Sequence, residues 1–86
     1  MVLSNTFYII LCYFLAMDIA KNVGKNLKEA RKFKGLTQKQ VASIMHMTQQ
    51  QYSRFENGIF ELNYQQILQL CALYEITPNE LFSIED

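Results

Sequence analysis

Four times between residues 37 and 80 the chain repeats one pattern. A Thr or Asn stands three positions ahead of a Gln or Glu, at Thr37/Gln40, Thr48/Gln51, Asn63/Gln66 and Thr77/Glu80, with Pro78 directly after the last threonine. In this pattern the first side chain accepts from an amide inside the new helix and the second reaches back to the cap amide. Two donors orphaned at a helix start are thereby satisfied. Pro fits the first helical position because it has no amide to leave unpaired. Helix starts spaced by 11, 15 and 14 residues permit only short helices joined by tight turns.

The layout that follows has helices over 19–34, 38–45, 49–56, 64–74 and 78–83. Asp18 is expected to cap the first, whose apolar Ile19, Val23, Leu27 and Ala30 step by three and four. Gly35 serves as its left-handed end residue. No segment after residue 17 alternates with period two, so the fold class is all-α, with five helices. A chain of 86 residues makes one domain, and 50% apolar content supplies a core without staples.

Other classes find no footing. Cys12 and Cys71 lie too far apart in the sequence for a ligand pair and form no disulfide framework, which points to a reducing cytoplasm. There is no CxxC, HExxH or glycine-rich phosphate loop, and the single histidine, His46, has no partner at fixed spacing. No enzyme, metal site or cofactor is expected. The net charge is zero, yet all eight basic residues lie between Lys21 and Arg54, with only Glu29 against them. From Glu56 onward come six acids and no base, a separation of +7 against −6 once Asp18 is set aside. Such asymmetry marks a half that faces a polyanion.

Residues 1–17, MVLSNTFYIILCYFLAM, carry no charge and stand as an extension before the domain at 18–86. The apolar run from Phe7 to Met17 is 11 residues, short of the ~20 a spanning helix needs. Three readings are open: upstream sequence ahead of a natural start at Met17, an arm packing on the domain or on a second subunit, and a membrane anchor through residues 7–17.

Only His46 and Met47 separate the second helix from the cap Thr48, which forces a sharp turn between the helices. Val41 and Met45 point inward from the second helix, Tyr52 and Phe55 from the third. Ala42 lies at the crossing and Met47 beneath the turn. The elements Leu36-Thr37-Gln38, Val41-Ala42, Met47-Thr48-Gln49-Gln50 and Phe55-Glu56-Asn57-Gly58, backed by Leu70, Tyr74 and Leu81-Phe82, resemble the phage-repressor and Cro-type helix-turn-helix domain. The resemblance runs from Asn26 to Phe82.

That resemblance implies a third helix lying in the major groove with its first residues against base edges. It makes Gln49 and Gln50 the leading base readers, because a glutamine amide can pair with adenine N6 and N7. Ser53 and Arg54 are further base-reading candidates. Gln38, Lys28, Lys39 and Asn57 are the candidate phosphate contacts, and Gln51 is a cap first. Arg31 and Glu56 resemble an ion pair tying the first helix to the end of the third. Two positions depart from the pattern. His46 stands where the turn favours glycine, and Ile59-Phe60-Glu61-Leu62 replaces a basic, proline-containing loop, offering apolar cover for the core or a subunit contact. The expected function is sequence-specific binding of double-stranded DNA by a small bacterial or phage transcriptional regulator, acting as a homodimer. The alternative is an antitoxin or other protein-interaction module of the same fold, bound to a toxin or another protein partner.

Overall fold

The computed structural model describes residues 5–84, and within the first helix the side chains of residues 13–18 are not described. Five helices follow in order: α1 (Asn5–Phe33), α2 (Gln38–Ile44), α3 (Gln49–Glu56), α4 (Tyr64–Tyr74) and α5 (Pro78–Phe82). All four capping boxes are closed in both directions. At α3, Gln51 N donates to Thr48 Oγ1 at 3.1 Å, and Thr48 N donates to Gln51 Oε1 at 3.0 Å.

All five helices end in the same way. Leu36 N donates to Arg31 O and Gly35 N to Lys32 O, and the same paired bonds recur around His46, Gly58, Glu75 and Ser83. Each of these five residues has a positive φ, between +55° and +71°, as this Schellman closure demands. His46 therefore takes the strained conformation expected of it. Glu75 and Ser83 do so as well, at positions where the sequence offered no glycine to announce it.

Three helices end one residue earlier than expected, at Phe33, Ile44 and Phe82, and one boundary differs by more. α1 does not start at Asp18 but runs back to Asn5 without interruption. No Gly or Pro separates residue 5 from residue 23, and once a helix is nucleated each further residue adds a bond at low cost. The Asp18 side chain lies outside the described residues, as do residues 1–4, Glu85 and Asp86.

The core is made by Val23 and Leu27 of α1, Val41 and Ala42 of α2 with Met45, Tyr52 and Phe55 of α3, Leu70, Cys71 and Tyr74 of α4, and Leu81 of α5. Ala42 is 2% exposed at the α2–α3 crossing, and Met47 is half-buried against the core. Ile19, expected on the inner face, is instead 53% exposed; among the described residues the core begins one turn later, at Val23. The Asn26 side chain ties α1 to the last helix, donating to Leu81 O and lying within hydrogen-bond distance of Ser83 Oγ, both at 2.8 Å. Gly24 faces the end of α3, where an added Cβ would stand 2.5 Å from Glu56 O. The helix backbones meet there with no room for a side chain.

Candidate nucleic-acid interface

α3 owes its orientation to its buried face. Tyr52, Phe55 and Glu56 point inward, which turns Gln49, Gln50 and Arg54 to solvent and leaves Ser53 half-buried. Gln38, at the start of α2, is brought to the same edge. One open recess is lined by Gln38, Gln49, Gln50, Ser53 and Arg54. All four expected base readers thus gather with one expected phosphate contact. Lys28, Lys39 and Asn57 lie outside that lining; both lysines are exposed, and Asn57 Nδ2 donates to Ser53 Oγ at 3.3 Å.

Behind the recess sits a buried polar cluster. Arg31 Nε donates to Glu56 Oε2 at 2.7 Å and Nη2 to Glu56 Oε1 at 3.1 Å, so the ion pair that the resemblance implied is present and is bidentate. Arg31 Nη1 caps the end of α1 by donating to Leu36 O at 2.9 Å. Gln38 Nε2 donates to Glu56 Oε1 at 3.1 Å, so this amide is held by the ion pair and has one N–H left for a ligand. The Tyr52 and Tyr74 hydroxyls hydrogen-bond each other, and no buried side-chain nitrogen or oxygen among the described residues lacks a partner.

The cluster's charges follow from these bonds. Burial pushes the Glu56 carboxyl up, but hydrogen bonds from Arg31, Tyr52 and Gln38 outweigh it and hold the group below its ordinary 4.5. Tyr74 is pushed up to about 12, chiefly by burial, and burial raises Tyr52 further still. The base of α3 is therefore a charged pair with two neutral phenols beside it, fixed by geometry.

Two features of the site escaped the sequence reading. The Arg54 guanidinium carbon stands 5.3 Å from the centroid of the Phe60 ring, so the loop after α3 stacks on a candidate reader rather than only covering the core. Ile59 and Phe60 are 64% and 48% exposed. Gly24 is the second, since it sets how closely α1 approaches α3. A glycine at the core-facing edge of an amphipathic helix was the available signal for it.

The chain belongs to the helix-turn-helix domain family, whose profile matches residues 24–86. This is a DNA-binding class of regulators and is typically non-enzymatic. No curated protein and no solved structure matches the chain significantly. Among the described residues no helix is long and apolar enough to cross a membrane.

Proposed function

We propose that the protein is a sequence-specific double-stranded-DNA binder that regulates transcription in the cytoplasm as a homodimer, with α3 in the major groove. The recess shared by Gln38, Gln49, Gln50, Ser53 and Arg54 carries this reading, because amide and guanidinium donors converge there on a surface the core leaves open. Gln49 and Gln50 read adenine edges; Arg54, steadied by Phe60, reads guanine or a phosphate. Gln38, with its remaining N–H, and Lys28, Lys39 and Asn57 hold phosphates, fixing register without reading sequence. One module reads too few base pairs to stand out among ~10⁶–10⁹ competing sites, which is the reason for a two-fold dimer.

Selection of bound duplexes from a random pool tests the proposal, and a two-fold-related enriched site is the expected result. Enrichment of no sequence would turn the assignment to the second reading, an antitoxin or adaptor. Ile59, 64% exposed in the apolar loop after α3 and outside the recess, favours that reading, and co-purification of a small partner protein would support it.

A further inference from the structure

The N-terminal half of α1 contributes no described side chain to the core. Phe7, Tyr8, Ile9, Ile10 and Leu11 are 43–65% exposed. At about 100° of turn per residue, five in a row present apolar surface around the whole helix. Among the described side chains the first buried one is Val23, and the family match begins at residue 24. The arm is thus an addition to a domain whose core closes without it. At its base an apolar groove opens, lined among others by Ile19, Phe55, Phe60, Leu62, Tyr64 and Ile67.

We infer that the arm and this groove form the contact between two copies of the chain, the arm of one lying in the groove of the other. The inference rests on the dimeric DNA reader proposed above and supplies its interface. Three observations favour a second copy as the occupant. Residues 1–17 carry no charge, so two arms meet without repulsion. The apolar ridge and the groove that receives it belong to one chain, as a self-complementary two-fold interface requires. Their reach agrees too: Asn5 to Asp18 spans about 21 Å of helix. Two antiparallel arms of that length bring Phe7–Leu11 of each beside the Ile19–Val23 turn of the other.

A lipid surface fits less well. The run Phe7–Met17 is about 16 Å long as a helix, against a hydrocarbon core of about 30 Å. An arm lying in the interface needs a polar face, which residues 7–11 lack. Nor would a bilayer fill a concave groove that reaches Phe60 and Tyr64 on the domain.

Sedimentation equilibrium of the full chain without DNA tests the contact, and a dimer at micromolar concentration is expected. Ile9→Asp on the arm and Tyr64→Asp in the groove change residues 65% and 88% exposed, so helix content by circular dichroism should hold. Each should raise the dimer dissociation constant about thirtyfold or more. A short bis-maleimide should join two copies through the exposed Cys12, and Ile9→Asp should abolish that product. A chain monomeric at all concentrations, or a dimer untouched by both substitutions, overturns the inference. So does a monomer that floats with phosphatidylcholine–phosphatidylglycerol vesicles. A chain that dimerises through this contact yet enriches no duplex would sustain the interface while refuting the DNA-reading function.

Discussion

His46 occupies a backbone well that glycine enters without cost, at φ +56° in the turn between α2 and α3. His46→Gly should therefore stabilise the domain by about 0.5–1 kcal/mol, the strain relieved less the entropy glycine adds to the unfolded chain. Thermal melting checks this, with an expected gain of several degrees; an unchanged or lower melting temperature would refute the strain argument. The reverse holds at Gly24. A Cβ there would stand 2.5 Å from Glu56 O and 2.6 Å from Phe55 O, so α1 and α3 would have to part. Gly24→Ala should lower stability by about 1–3 kcal/mol despite alanine's better helix propensity. His46 was legible from sequence because the turn itself was. Gly24 was not, since the reason for it lies on another helix. Among the proposed readers, Gln50→Ala should relax base preference at one position by about 1–3 kcal/mol while leaving binding to random duplex unchanged. Equal losses on both would mean that Gln50 reads nothing.

At the scale of elements, the packing of α1 against α3 depends on the Arg31–Glu56 pair, and its chemistry sets a pH window. Glu56 titrates below its ordinary value in the folded chain, so its contribution is complete above about 4.5. That contribution fades as the pH falls further, where the unfolded chain takes up the proton first. Tyr52 and Tyr74 are shifted upward, which reverses the sign. Their contribution is complete below the ordinary 10.0 and is lost as the pH rises towards about 12, where the unfolded phenols ionise first. Chemical denaturation across pH should show a plateau with both shoulders. Glu56→Gln should cost about 3–5 kcal/mol at neutral pH, because Arg31 is left buried without its counter-charge, and should flatten the acid shoulder. A variant with the parent's acid profile would assign that shoulder to other carboxylates. The helix starts were legible because a capping box needs only residues three apart. The ends at Glu75 and Ser83 were hidden, because their left-handed backbone is imposed by the closing bonds rather than by residue type. The start of α1 was misplaced because an Asp before an apolar period resembles a cap even within a longer helix.

Across the whole molecule, zero net charge conceals two unlike halves, which the fold ties through the buried Arg31–Glu56 pair and, at the surface, where Lys34 Nζ meets Glu75 Oε2 at 2.9 Å. That bridge is exposed, so it contributes little to stability. Lys21, Lys25, Lys28, Lys32 and Lys39 are all exposed and have no ion pair among the described residues. If duplex DNA is the partner, these cations displace its condensed counterions. Affinity should then fall linearly on a log–log plot against salt, with a slope of about −0.9 for each phosphate neutralised. Lys28→Ala should weaken enriched and random duplexes by the same factor and make the slope shallower by about 0.9, whereas Gln50→Ala should leave the slope untouched. Binding measured at several salt concentrations separates the two effects. A salt-independent affinity would refute the polyanion reading, because an interface without counterion release does not engage the phosphate backbone.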